Sequence, residues 1–158
     1  MAIGGVYLTV EPLRPDQYRQ VAEWEYGAQS ADADWARYAR EMEEPKWLHF
    51  GLYQETEFAG CLSLERVSRN IAAAHVVTAR RKVHPQALAA TLVEVMRYLF
   101  ANGFLAIVAH NPRSKRAGAR LAIRCGMVEW GHTPETRYFM MTRPRFNKLW
   151  GADGRIET

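Results

Sequence analysis

The hydrophobic period of this chain switches between alternating and helical several times, over segments each long enough for only one strand or one helix. Residues 6–10 alternate and stop at Glu11-Pro12. Pro15 can open a helix, which Tyr18, Val21, Ala22 and the pair Trp24-Glu25 continue at helical spacing. Asp32 or Asp34 can cap a second helix carrying Trp35, Tyr38, Ala39 and Met42, and Pro45 stops it. Leu48, Phe50 and Leu52 then alternate, 54–57 reads as a turn, and 58–67 and 71–80 read as two strands around Ser68-Arg69-Asn70, an antiparallel meander. Leu88, Leu92, Val95, Met96 and Leu99 form one helical stripe ended by Asn102-Gly103. The run 104–109 is continuously apolar, as in a strand covered on both faces. Asn111-Pro112 breaks it, Ser114 can cap a helix that Gly126 ends, and 127–131 and 137–142 close the pattern with two strands. The order predicts an α+β domain with a mixed, mostly antiparallel sheet of about six or seven strands flanked by about four helices.

At 158 residues, 48% apolar and 24% charged, the chain predicts one soluble, cytoplasmic domain with a real core rather than a disordered or membrane-spanning protein. Its start lacks the basic end and apolar block of a secretory signal. The only cysteines, Cys61 and Cys125, are too few for a disulfide framework or a cysteine zinc site, and no metal is expected. The net charge of +4 is unevenly spread: residues 1–79 carry 7 Lys and Arg against 12 Asp and Glu, and residues 80–158 carry 14 against 5. A basic C-terminal half suits a phosphorylated cofactor, nucleic acid or an acidic partner, or is a solvated basic face.

Two segments sharpen this reading. In Thr78-Ala-Arg-Arg-Lys-Val-His-Pro-Gln-Ala-Leu-Ala89, a strand runs through a basic loop into a helix start, where free backbone N–H groups favour phosphate. It is a phosphate cradle or a basic, solubilising turn. In the later helix, Arg116, Arg120 and Arg124 form one stripe and Ala117, Leu121 and Cys125 another. That stripe meets phosphates or an acidic partner, or simply faces water.

The element order, Arg97-Tyr98-Leu99-Phe100 before Asn102-Gly103-Phe104, then Ala109-His110-Asn111-Pro112-Arg113-Ser114 and Cys125-Gly126-Met127, resembles the GCN5-related N-acetyltransferase (GNAT) superfamily. The likeness covers residues 47–143 and extends to the N-terminal helices by order alone. A divergent, phage-type member is one version of it, because small tailed-phage proteins share the Asn-x-x-Ser…Gly segment. The resemblance implies a single GNAT-like domain over 1–158: a strand and two helices in 1–46, the meander in 47–80, a cofactor-binding half in 81–143 and a tail in 144–158. It also implies a sheet splayed between strands 71–80 and 104–109, with acetyl-CoA as the cofactor. By position, Ala79 would meet the acetyl group through its backbone. Arg81, Lys82, His84, Gln86, Ala87, Leu88 and Ala89 would form the phosphate loop, Asn111 would contact the cofactor arm, and Arg116 would add charge. The sequence departs from the family at Pro85 and Ala87, which replace the usual loop glycines, and at Ala122, where a tyrosine general acid is common.

Acetyl transfer to an amine needs a base for the ammonium proton. Glu65, in a Leu/Ser/Val strand, and His75, in the Ala-rich strand before the loop, are the candidates, each of which can equally be a rim or core residue. A two-residue turn at Arg69-Asn70 would set His75 across from Leu64. The expected function is therefore acetyl-CoA-dependent N-acyl transfer to a primary amine of a small molecule or peptide, with a homodimer allowed and no membrane partner. The alternative is a GNAT-shaped binding or structural module without catalysis. A nucleic-acid-binding domain is third, with no recognisable motif beside its basic stripe.

Overall fold

Proline and glycine punctuation divides the chain into the elements found in the computed structural model, which describes residues 7–79 and 83–151. Strand β1 (Thr9–Pro12) precedes helices α1 (Tyr18–Tyr26), α2 (Ala28–Ala33) and α3 (Trp35–Met42). Strands β2 (Trp47–Gln54), β3 (Glu57–Arg66) and β4 (Ile71–Thr78) follow, then α4 (Pro85–Ala101), β5 (Ala106–Pro112), α5 (Arg116–Arg124), β6 (Val128–His132), β7 (Thr136–Thr142) and α6 (Arg143–Trp150). The seven strands form one mixed sheet in the order β1-β2-β3-β4-β5-β7-β6. Among the described residues, no helix is long and apolar enough to cross a membrane.

The chain divides into two compact units, and β4 belongs to both: 8–65 with 75–84 is one, and 66–74 with 85–158 and the first seven residues is the other. In the first unit β1, β2 and β3 are antiparallel, with Phe50 opposite Leu62 and a bulge at Leu52/Tyr53. Ala22, Ala31, Tyr38 and Met42 form a core between the helices, with Leu13, Tyr18 and Trp35 packed on it. Trp24, Phe58 and Tyr53 make a chain of ring contacts at 4.9 and 5.5 Å. Buried Gln17 is fully engaged: its oxygen accepts from the Arg14 N–H, and its amide donates to the Tyr53 hydroxyl at 2.7 Å.

In the second unit β5 pairs with β7 over seven positions, from Ala106↔Thr142 to Pro112↔Thr136, and β6 closes the edge. The start of β4 runs parallel to β5 through Ile71↔Ala106, Ala72↔Ile107 and Ala73↔Val108, with α4 as the crossover that parallel pairing requires. That ladder has three pairs, fewer than either strand has residues. Ala119 and Ala122 of α5 pack on Phe139, and Phe100 of α4 meets Phe146 of α6 at 5.1 Å.

Several boundaries depart from the sequence pattern, each for a local reason. Three helices form before β2 rather than two: the short Ala28–Ala33 helix fills the interval expected between them, set off from α1 by Gly27 at φ 86, which suits glycine, and from α3 by Asp34. β5 ends at Pro112 rather than residue 109, since its pairing with β7 carries Asn111 and Pro112 into the ladder. Helix α5 consequently opens at Arg116, with Lys115 rather than Ser114 at its N-cap. Its buried residues are Ala119 and Ala122, and of the expected Ala117, Leu121 and Cys125 stripe Cys125, at its C-cap, is buried while Ala117 is exposed. The expected tail holds α6, because the Thr142 hydroxyl accepts from the Arg145 N–H and Pro144 occupies the first turn.

The β3–β4 contact also sets a register. The Ala79 N–H donates to the Ala59 carbonyl, and Gly60 lies so close to β4 that a Cβ there would be 2.9 Å from the Val77 carbonyl oxygen and 3.2 Å from the Thr78 methyl. Backbone oxygen cannot yield as a flexible side chain does. Gly60→Ala should therefore lower stability by roughly 1–3 kcal/mol, read as a drop in urea midpoint with an unchanged slope.

Candidate active site

The register at Ala59 and Ala79, continued along both strands, sets His75 across from Ser63 and not Leu64. The turn agrees, because Val67 and Ser68 both donate to the Ile71 carbonyl, giving a loop longer than two residues. His75 Nε2 meets Glu25 Oε1 of α1 at 2.8 Å. The Glu25 side chain is only 14% exposed and that of His75 35%. Glu25 is thus a mostly buried carboxylate whose charge the imidazole can match.

Polar groups of the same unit surround this pair. Ser63 Oγ lies 2.6 Å from His49 Nδ1 and 3.6 Å from Cys61 Sγ. Burial holds His49 below the usual histidine range, and the Met42 backbone opposes that only in part. The Tyr38 phenol is pushed up, first by burial and then by the charge of Glu25. Burial pushes the Cys61 thiol up to about 11 and Cys125 to about 12, so neither is a ready nucleophile. Glu65, the other base candidate, is half-buried and pairs with Lys46 at 3.6 Å.

The residues carried over for cofactor binding fall in both units. Arg81 and Lys82 lie outside the described residues. Ala79 is buried with its N–H on Ala59, and the His84 N–H donates to Gln54 Oε1 at 2.7 Å. In the second unit, α4 opens at Pro85, which has no N–H, so the helix start offers the N–H groups of Gln86 and Ala87 ahead of its first intrahelical bond. Ala87 and Ala89 are each 1% exposed. Their methyls are packed into the core, so Ala87 does not place a side chain over the helix start, and the exposed Pro85 and Gln86 form its rim. A helix start of this kind suits a phosphate in general, and here Ala87, Leu88 and Ala89 are buried.

Asn111 is locked to its own loop: its amide donates to the Lys115 carbonyl at 2.7 Å and to the Pro112 carbonyl at 3.0 Å. Gly118 of α5 faces it so closely that a methyl there would overlap the Asn111 side chain. Ala122, where the resemblance would place a tyrosine, packs against Phe139 and offers no hydroxyl. Arg116 lines an open cavity of about 370 Å³ together with Arg113, Arg120 and Arg137.

Sequence reasoning missed Glu25, although a signal existed. With Val21 and Ala22 buried, Glu25 is a charge at i+4 and i+3 on the apolar face of α1. It also missed the convergence of Arg113 and Arg137 on the helix stripe, which depends on Asn111 standing opposite Arg137 in the β5–β7 ladder.

Neither protein-family models nor curated protein sequences match the chain. Solved structures do. Spermidine N-acetyltransferase SpeG from Vibrio cholerae in complex with CoA and spermine has a TM-score of 0.70 at 13% identity, covering 88% of this chain and 97% of that one. The dodecameric form of the same enzyme in an intermediate state has a TM-score of 0.68 at 14% identity, covering 88% and 95%. Campylobacter jejuni N-acetyltransferase PseH has a TM-score of 0.64 at 9% identity, covering 86% and 98%. At these identities the likeness is one of fold.

The Asn111 lock gives a directional test. Alanine in a helix interior ordinarily stabilises over glycine by about 1 kcal/mol. Gly118→Ala should instead lower the melting temperature, because the new methyl must expel the Asn111 amide from its two carbonyls. A rise in melting temperature would show that Asn111 is not held there.

Proposed function

We propose that this chain, which has the fold of the GNAT acetyltransferases, is an acetyl-CoA-dependent N-acyltransferase that moves an acetyl group to a primary amine by direct transfer. The observation that carries the reading is the 2.8 Å His75–Glu25 pair, an imidazole held by a mostly buried carboxylate. With Glu25 holding the ring at Nε2, the imidazole would take the proton from the substrate ammonium. Glu65, held by Lys46, is the second candidate for that proton. Glu25 acts through His75 as a positioning residue and keeps the resulting imidazolium matched by charge.

The start of α4, at Gln86, Ala87, Leu88 and Ala89, would receive the pyrophosphate of acetyl-CoA. When bound, acetyl-CoA supplies the thioester that is attacked. The unit that carries His75 also holds all twelve carboxylates of residues 1–79, which favours a cationic amine. The CoA and spermine complex of SpeG supports both choices by analogy of fold.

The test is release of free CoA thiol from acetyl-CoA against a panel of diamines, polyamines and lysine peptides. His75→Ala should lower kcat by about 10²-fold or more, the usual scale of a general base, and added imidazole should restore part of it. Glu25→Gln should lower kcat with little change in the KM for the amine. A saturating excess of acetyl-CoA, about 100 times its Kd, should also stabilise the fold by about 2.7 kcal/mol. No thiol release and no stabilisation would give preference to a phage-type binding or structural module, which the methyl at Ala122 favours.

A further inference from the structure

We propose that the arginine-lined cavity of the second unit is a binding site for linked phosphate groups, as found in a nucleic-acid backbone or a free polyphosphate. Four arginines line it: Arg113 after β5, Arg116 and Arg120 on α5, and Arg137 on β7, together with Ala119 and Ile123. Arg113 is fixed at both ends, its N–H donating to the Glu135 carbonyl at 2.9 Å and its Nε to the Thr133 carbonyl at 3.0 Å. Arg116 and Arg120 are one helical turn apart, about 6 Å along the axis, and both are exposed. Arg137 is held over the Phe139 ring at 5.2 Å and bonded to Glu129 Oε2 at 2.6 and 3.0 Å.

The charge balance selects an anion. Among the described residues, Glu129 pairs with Arg137 and its charge also reaches Arg113, and no carboxylate forms an ion pair with Arg116 or Arg120. Like charges gathered in one cavity repel one another unless an anion enters. Planar forks match phosphate oxygens two at a time. The volume of about 370 Å³ and the one-turn spacing exceed what a lone phosphate would span. This site differs from the Asn111 face, because Gly118 lies about 200° round the helix from both Arg116 and Arg120.

The test uses the full chain and a labelled single-stranded 12-mer in fluorescence anisotropy, with competition by tripolyphosphate, orthophosphate and polyglutamate. The 12-mer should bind with salt-dependent affinity. Tripolyphosphate should compete at least tenfold better than either orthophosphate or polyglutamate, and the ratio of 12-mer to tripolyphosphate affinity assigns the source. The double variant Arg116→Ala/Arg120→Ala changes two exposed side chains, so its melting curve should be unaltered. It should weaken binding at least tenfold and lower the log–log salt slope by about 1.4, two contacts at about 0.7 each. Glu129→Gln removes the competing carboxylate and should tighten binding severalfold, while Lys148→Ala on α6 should leave it unchanged. The proposal is overturned by an absence of binding, by equal loss in Lys148→Ala, by full binding in the double variant, by no gain in Glu129→Gln, or by orthophosphate or polyglutamate competing as well as tripolyphosphate.

Discussion

A carboxylate removed from water has to be matched by a donor or a charge, and Glu25, at 14% exposure, is matched by His75. Much of the first unit is arranged around that requirement. The imidazole reaches Glu25 only because β4 runs beside β3 in one register, with Ala79 bonded to Ala59 and Gly60 leaving space for the Val77 carbonyl. A slip of one residue would turn His75 to the other face of the sheet and leave Glu25 without its partner. The effect of the charge reaches further: it helps to raise the Tyr38 phenol and the Cys61 thiol, which burial has already pushed up. Neighbouring phenol and thiol groups are thereby held in their protonated forms.

The fold also sorts the charges that composition shows only as a gradient along the chain. The twelve carboxylates of residues 1–79 fall within the unit that holds His75, and Arg113, Arg116, Arg120 and Arg137 fall within the other. The sorting suits a reaction with a cationic acceptor and a multiply phosphorylated donor. A cofactor loop alone does not account for it, because the arginine cavity lies on the face of α5 turned away from Asn111.

Periodicity revealed the meander, α4 and the closing β6–β7 pair, since each is long enough for its apolar spacing to repeat. It failed where a backbone ladder overrides local punctuation. Asn111-Pro112 has the composition of a break, yet β7 pairs with both, and the helix behind them is shortened as a result. It failed also at α6, where the signals were present in Thr142, Pro144 and Phe146 but sit beyond the last strand of the pattern. At the candidate site His75 was legible as an ionisable residue in an apolar strand. Its partner was not, because the contact joins residues 50 apart in sequence and depends on the β3–β4 register. Three of the four cavity arginines lie within eight residues of one another, but Arg137 joins them only through the β5–β7 register.

The methyl at Ala122 weighs less against catalysis than the missing hydroxyl suggests, because the two proton transfers differ in difficulty. A primary amine with a pKa near 10.4 is about 3.4 units from its reactive form at pH 7, a deficit of about 4.6 kcal/mol. A departing thiolate with a pKa near 8.5 is only about 1.5 units from its neutral form, about 2 kcal/mol, and thiolates leave without prior protonation. The larger deficit is at the amine, the step for which the proposed base is an imidazole with a carboxylate 2.8 Å behind it. Where the deficit is smaller, Ala122 has been given over to packing against Phe139. An enzyme that keeps the base and leaves the thiolate to solvent is chemically consistent. One that kept the tyrosine and lost the base would face the higher of the two barriers unaided.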